Sequence, residues 1–397
     1  MNYSRKNKKH TPVQSNQNKG RNQANKKRVS SLNPELLVKK GKTGSQEGFK
    51  SETLYSELSL DGRLLDNLHQ KGYKALTNIQ EKALFPLLEG KDMLAISRTG
   101  SGKTAAFLIP TIVHALKAKG NFTALVVAPT RELALQIGEE FKSLTKGMQL
   151  NSSTFIGGTN INTDLKQSNK NLQLIIGTPG RLLDLTRQKA LDLRKVNTLI
   201  LDEFDRMLDM GFVQDVKKLV ELIGPREQTM LFSATLDASQ QLLIDKLLKN
   251  PVEVKVDSGN APHEHIDQKT IEVPEGGNKF NMLTDLLANE EMEKVILFTE
   301  TKRLADRIAR KLNNSGIAAG QIHGDKSQNF RNNILRDFKS GTIRVLVATD
   351  VAARGIDVAD VSHVINYQMP MTMDAYVHRI GRTGRAGKAG YAITFVN

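Results

Sequence analysis

The chain has no cysteine and no tryptophan, and only 5% of its 397 residues are aromatic. Without thiols it can form neither a disulfide nor a thiolate metal site, which suits a reducing compartment. So few rings argue against a platform on which bases stack. No apolar run approaches the roughly 18 residues that cross a bilayer, and no leader-length apolar segment follows the basic start MNYSRKNKKH. The expectation is a cytoplasmic protein with no membrane partner. The eight histidines show no metal-ligand spacing, and His263 and His265 read as solvated.

What is present is an ordinary globular balance, 39% hydrophobic and 25% charged, in a length suited to roughly two or three units. The net charge of +15 is uneven: residues 1–50 carry 13 Lys and Arg against 2 acids. That stretch is rich in Asn, Gln, Lys, Ser and Gly and has no sustained period, so it cannot bury enough surface to offset ordering entropy. Residues 1–50 therefore read as a disordered basic tail, either a solubilising arm or one that holds nucleic-acid phosphates.

From Tyr55 onward, short apolar runs alternate with longer amphipathic segments, the pattern of parallel strands joined by helices. Buried strands are expected at Met93–Ile96, Ala124–Ala128, Leu174–Ile176, Thr198–Leu201 and Met230–Phe232. The pattern breaks between Asn250 and Asn278, where Pro and Gly accumulate, and resumes at Val295–Phe298, Gln321–His323, Arg344–Ala348, His363–Tyr367 and Tyr391–Val396. Two successive α/β domains explain this better than one wide sheet. Each would be a parallel sheet with helices on both faces: residues 51–257, then 258–278 as linker and start of the second domain, then 279–397.

Three motifs carry chemistry. SRTGSGKT (97–104) follows a buried strand and opens a helix, the setting of a phosphate-binding loop. Gly100 and Gly102 let backbone N–H groups close on phosphate oxygens at a helix N-terminus, with Lys103 for the β and γ phosphates and Thr104 for Mg²⁺. The strand Thr198–Leu201 runs into Asp202, Glu203, Phe204 and Asp205, carboxylates at the ligand-binding edge of a parallel sheet. Asp202, through water, and Glu203 can hold Mg²⁺, while Glu203 also orients and deprotonates the attacking water. HRIGRTGR (378–385) offers planar guanidinium groups, and Arg382 and Arg385 are the candidate arginine fingers. Read alone, that string could be only an RNA-binding basic loop, the lesser of the two readings.

In these motifs and their order, from Tyr55 to its end, the chain resembles the DEAD-box RNA helicases. GYKALTNIQ (72–80) is similar to that family's adenine-reading motif, with Gln80 on the adenine edge and Tyr55, seventeen residues before Gly72, in the place of the aromatic that stacks on adenine. The resemblance implies tandem RecA-like domains, ATP and Mg²⁺, and a nucleotide loop of Ser97, Arg98, Thr99, Gly100, Ser101, Gly102, Lys103 and Thr104, faced by Gly355 and Asp357. It implies RNA contacts at Pro129 and Arg131 of PTRELA, Gly157, Gly158, Thr178, Gly180 and Arg181, then Gly324, Gln328, Arg331 and Thr349. It assigns Asp205, Ser233, Thr235 and His378 to coupling between ATP and RNA, with His323 in a further motif. The implied activity is RNA-dependent ATP hydrolysis with local separation of short duplexes, by a monomer gripping the backbone with little regard to base sequence. An ATP-gated RNA clamp or assembly platform is the alternative, a DNA translocase a more distant one. Ribonucleoprotein or ribosomal assembly partners suit the family.

The chain departs from the family pattern at four places. Phe204 replaces the usual Ala of the acidic motif, which in an unadapted pocket costs roughly 1 to 3 kcal/mol. Leu76 and Asn78 stand where prolines are usual, and Ser97 replaces a small Ala. The last residue, Asn397, directly follows an apparent edge strand where the family continues into a helix, so a chain cut there would leave an apolar strip on the second domain uncovered.

Overall fold

The computed structural model describes residues 1, 30, 32–40, 50–97, 100–118, 122–236, 238–256, 266–353, 358, 360–384 and 389–396. A small antiparallel pair, β1 (Lys50–Leu54) with β2 (Ala75–Thr77), precedes two sheets. The first holds β3 (Met93–Ile96), β4 (Ala124–Val127), β5 (Ser152–Phe155), β6 (Leu174–Gly177), β7 (Thr198–Leu201), β8 (Gln228–Ser233) and β9 (Val252–Lys255). Their order is β5-β6-β4-β7-β8-β3-β9, all parallel. The second holds β10 (Ile266–Glu272), β11 (Val295–Thr299), β12 (Ala319–Ile322), β13 (Val345–Thr349), β14 (His363–Asn366) and β15 (Gly390–Val396), again parallel, ordered β10-β15-β14-β11-β13-β12.

Side chains alternate across each strand, so each sheet supports a core on both faces. In β7, Leu199 and Leu201 join one apolar cluster and Ile200 the other; in β11, Val295 and Leu297 join one and Ile296 and Phe298 the other. All ten expected strands are present within two residues of their expected bounds.

The apolar pattern does not announce β5, β9 or β10. Each lies at the edge of a sheet, where half the surface faces water and an unbroken apolar run is not needed. The segment from Asn250 to Asn278 contains β9, which closes the first sheet, and β10, which opens the second, and residues 257–265 between them lie outside the described residues. One expectation is thereby corrected. Tyr391–Val396 is not an edge strand: β15 has β10 on one side and β14 on the other, and β10 takes the edge.

Within the stretch expected to lack structure, Asn33 caps a short 3-10 helix, Pro34–Leu37, by accepting from Glu35 N at 3.0 Å, and Lys39 bridges to Gln268 of β10. Residues 2–29, 31 and 41–49 lie outside the described residues.

Candidate functional site

In parallel strands the carboxyl ends share one edge of the sheet, and in the first domain strand order divides that edge in two. β3, β7 and β8 are adjacent or one strand apart and lead to the phosphate loop, the Asp202–Asp205 motif and Ser233–Thr235. β4, β5 and β6 are contiguous and lead to PTRELA, the Gly157–Gly158 pair and TPGR. β4 beside β7 joins the halves at a spacing of about 4.8 Å.

In the nucleotide half, Gly100 and Gly102 have φ of 82° and 96°, the left-handed region that glycine tolerates. A Cβ on Gly102 would also lie 2.6 Å from Gln80 Nε2 and 2.9 Å from Thr77 Oγ1. Gln80 Nε2 donates to the Gly102 carbonyl at 3.0 Å, and its Oε1 accepts from Thr77 N at 2.8 Å and the Tyr55 hydroxyl at 2.6 Å. The adenine motif and the phosphate loop are therefore hydrogen-bonded to each other. The Thr77–Gln80 contact starts the helix Asn78–Leu88 without the usual prolines.

Tyr55 requires a correction. Its ring is 3% exposed and lies against Tyr73, with centroids 6.0 Å apart. Burial pushes its phenol well above the ordinary range. Its hydroxyl holds Gln80, and its ring is packed inside the domain rather than exposed for stacking. Buried Lys103 donates from Nζ to the Ser97 carbonyl at 2.7 Å, and Ser97 Oγ lies 3.0 Å from Ser101 Oγ, a contact that an alanine at 97 could not make. Thr104 follows in the first turn of the helix Lys103–Lys117. Arg98 and Thr99 lie outside the described residues.

At the end of β7, Glu203 is held in the left-handed region, φ 51° and ψ 51°, a conformation costly for a side-chain-bearing residue and typical of functional turns. Its N–H donates to Asp202 Oδ1 at 2.9 Å, and both its carboxylate oxygens lie 2.8 Å from Arg206 Nη1. Burial raises the Asp202 carboxyl to about 6, against the pull of Lys103 and with the help of Glu203 and Asp205. A buried carboxylate short of positive charge fits Mg²⁺, which takes one or two protein carboxylates and completes its shell with phosphate and water. No cluster of three or more His, Cys, Asp or Glu able to cage a metal occurs among the described residues.

Asp205 is bonded to Ser233 and Thr235, two of the other residues expected in coupling. Its Oδ2 accepts from Ala234 N at 3.1 Å, Thr235 N at 3.0 Å and Thr235 Oγ1 at 3.1 Å, and Ser233 Oγ donates to the Thr235 carbonyl at 2.6 Å. Phe204, the unusual member, is fully buried in the apolar cluster with Leu201, Met207, Val216 and Leu231. The core has formed around the ring.

Across the seam, Arg206 Nη2 lies 3.4 Å from Nδ1 of His378, which accepts in the tautomer protonated at Nε2. Arg206, not anticipated from the sequence, thus joins the candidate base of domain one to the helix Met373–Ile380 of domain two. Its one sequence signal was an arginine directly after the acidic motif. Arg379 is committed within domain two: it pairs with both Asp350 oxygens at 2.6 and 2.8 Å, donates to Asn366 and Gln368 and lies over the Phe298 ring. Arg382 is buried in a small cavity lined also by Asp350, Ala375 and His378, with its Nε 3.4 Å from the His378 carbonyl. Arg385, Gly355 and Asp357 lie outside the described residues.

In the other half of the edge, Gly157 and Gly158 make room for Arg131: a Cβ on Gly158 would lie 2.5 Å from Arg131 Nη1. Gln328 and Arg331, expected on RNA, meet domain one across the seam. Gln328 Nε2 donates to Glu132 Oε1 at 3.2 Å, Arg331 Nη2 lies 2.8 Å from the same oxygen, and Arg131 Nη1 reaches Gln328 at 3.5 Å. All three of Glu132, Gln328 and Arg331 are buried, and Glu132 Oε2 and Arg331 Nε have no partner. Glu132 is the second residue the sequence reading missed.

Arg181 is likewise occupied, bonding the Ile156 and Thr159 carbonyls and pairing with Asp164 at 2.9 Å, so it shapes the Gly157–Gly158 loop. Burial raises the Asp164 carboxyl, against the pull of Arg181. Thr178 caps the helix Pro179–Arg187 with its hydroxyl unused as a cap, Gly180 is exposed, Pro129 is buried, and Thr349 ends β13 half-buried. Gly324 is exposed beside buried His323, whose Nε2 lies 3.0 Å from Asp306.

A phosphate loop and an acidic strand end on one parallel sheet, faced by the arginine-bearing helix of a second, define a P-loop protein with tandem RecA-like domains. Residues 77–243 match the model for the DEAD/DEAH box helicase family, and residues 278–387 that for the helicase conserved C-terminal domain. The ATP-dependent RNA helicase CshA of Listeria monocytogenes is 42% identical over 344 residues, 87% of this chain, and its Streptococcus pneumoniae counterpart 43% over 342, 86% of the chain. The chain spans 66% and 65% of the length of these two relatives. Saccharomyces cerevisiae Dbp5 bound to RNA and ADP BeF3 is 33% identical and aligns over 87% of this chain and 90% of its own, with a TM-score of 0.77. A DEAD box protein from Methanococcus jannaschii is more similar in sequence, 39%, over 87% and 93% of the two chains, yet its TM-score is 0.50. The chain belongs to the DEAD-box helicase family.

Proposed function

We propose that this chain is an RNA-dependent ATPase and RNA helicase that grips one RNA strand across both domains, separates short duplexes locally and hydrolyses ATP to let go. The observation that carries the reading is the seam. Arg206 with His378, and Glu132 with Gln328 and Arg331, close the two domains at the nucleotide half and the strand half of one edge. The fold likeness supports it: the arrangement agrees better with a relative holding RNA and a nucleotide analogue than with one closer in sequence.

In this reading Gln80 and the loop around Lys103 hold ATP. Thr104, Asp202 and Glu203 would hold Mg²⁺, which would supply positive charge to the β and γ phosphates. Glu203, fixed by its own backbone and by Arg206, orients the attacking water and takes its proton. Arg382, with Arg385, stabilises charge on the departing phosphoryl group. Asp205 transmits the nucleotide state to Ser233 and Thr235. Pro129, Gly157, Gly158, Thr178, Gly180, Gly324 and Thr349 present backbone and hydroxyl groups to phosphate and ribose, so binding is largely independent of base sequence. A monomer in the cytoplasm, acting on ribonucleoprotein or ribosomal assembly intermediates, completes the proposal.

The test is Glu203→Gln in the full chain: RNA-stimulated hydrolysis should drop by two or more orders of magnitude while ATP still binds. Unchanged turnover would remove Glu203 as the base. Strand release from short duplexes separates the helicase from an ATP-gated clamp, which would retain RNA without unwinding it.

A further inference from the structure

The chain enters domain one at β1, where Ser51 and Thr53 donate to Glu81 at 2.7 and 2.9 Å. Residues just before that entry lie on domain two. Leu37 is fully buried among Ile266, Tyr376, Ile380 and Ala392. Lys39 and Gln268 exchange both backbone hydrogen bonds, at 3.2 and 2.8 Å, along the outer edge of β10. The Leu37 carbonyl lies 3.3 Å from the Tyr376 hydroxyl, and Ser30 Oγ donates to the Pro370 carbonyl at 2.6 Å.

Tyr376 and Ile380 share one face of the helix Met373–Ile380, while His378, two residues from each, lies about 200° around it. The segment therefore packs on the back of the helix whose front meets Arg206 of domain one. Only nine residues, 41–49, separate the two attachments. That length reaches at most about 35 Å.

We propose that Ile266, Gln268, Tyr376, Ile380 and Ala392 form a docking site for this chain's own residues 32–40, and that the docked segment is a second tether favouring the closed arrangement of the domains. One connection, between β9 and β10, already joins them. A second attachment, along the outer edge of β10 where that connection also enters domain two, adds a further restraint and raises the effective concentration of one domain at the other. A ligand that binds only the closed arrangement then meets a larger competent fraction, and its apparent affinity rises by the same factor. Only this last consequence rests on the RNA and ATP reading above; the docking and the closure do not.

The absence of cysteine makes the test clean. A hydrogen-bonded antiparallel pair has Cα atoms about 5.5 Å apart, within disulfide range, so Lys39→Cys with Gln268→Cys should crosslink readily in the full, ligand-free chain. Adding Leu37→Asp should slow that crosslinking at least tenfold. In small-angle scattering without ligand, Leu37→Asp alone should enlarge the radius of gyration, and the oxidised double-cysteine chain should stay as compact as wild type. In hydrolysis assays, Leu37→Asp should raise the RNA concentration for half-maximal stimulation about tenfold while turnover at saturating RNA stays within twofold, and the oxidised double-cysteine chain should keep the wild-type value. Crosslinking indifferent to Leu37→Asp refutes the docking. An unchanged radius, or a loss confined to saturated turnover, refutes the tether. A wild-type chain without RNA stimulation would sink the functional proposal and leave the crosslinking and scattering results to judge this one.

Discussion

Asp202→Asn should make the ligand-free protein more stable and catalytically dead. Burial lifts the Asp202 carboxyl from its ordinary 3.8 to about 6. Between those values the folded chain keeps a proton that the unfolded chain releases, so the folded state loses stability as pH rises through 6. Below pH 3.8 the side chain is neutral in both states and nothing is lost. Above pH 6 the full difference applies, about 3 kcal/mol. Asparagine has the same shape and no charge to desolvate, so by pH 8 the variant should gain roughly that amount, and by pH 4 almost none of it. For a domain of about 200 residues this is a rise in Tm on the order of 7 °C at pH 8. Thermal melts of both proteins across pH 4 to 8, without nucleotide, provide the assay. Saturating Mg²⁺ and ATP should shrink the gap by stabilising the wild type, because the charge then has a partner. A variant equally or less stable than wild type at pH 8, or a difference that does not close toward pH 4, would refute the burial argument.

Gly102→Ala forces a Cβ into Gln80 and Thr77 at a backbone angle unfavourable for alanine, so ATP affinity measured by calorimetry should weaken at least tenfold with the fold intact. Glu132→Ala leaves Arg331 buried without its partner, an error of about 3 to 5 kcal/mol in the closed form. RNA-stimulated turnover should fall 100-fold or more, and Arg331→Met added to it should restore part of the loss in a double-mutant cycle. Deleting residues 2–29, which carry nine Lys and Arg and no acid, should weaken RNA binding and flatten its salt dependence, as read in titrations from 50 to 300 mM salt; equal slopes would return the arm to a solubilising role.

Much of the architecture was written in local chemistry. Buried parallel strands must be apolar along their length, so β3, β4, β6, β7, β8 and most of the second sheet announced themselves, and the mid-chain break separated two domains. A phosphate loop needs glycines and a lysine between strand and helix, so that motif was also legible. Edge strands escaped because water on one side relaxes the apolar demand, and so did the docked Leu37, a single apolar residue in a polar, basic stretch. Which partner a charged side chain takes was decided only by tertiary packing. Arg131, Arg181, Gln328 and Arg331 are residue types suited to RNA, yet three of them lie near a carboxylate that the sequence places 17, 196 or 199 positions away. Tyr55, with a ring suited to stacking, is closed off by Tyr73 and turned toward Gln80. A sequence states what each side chain is able to bind, whereas burial and distance, set by the whole chain at once, select the bond it makes.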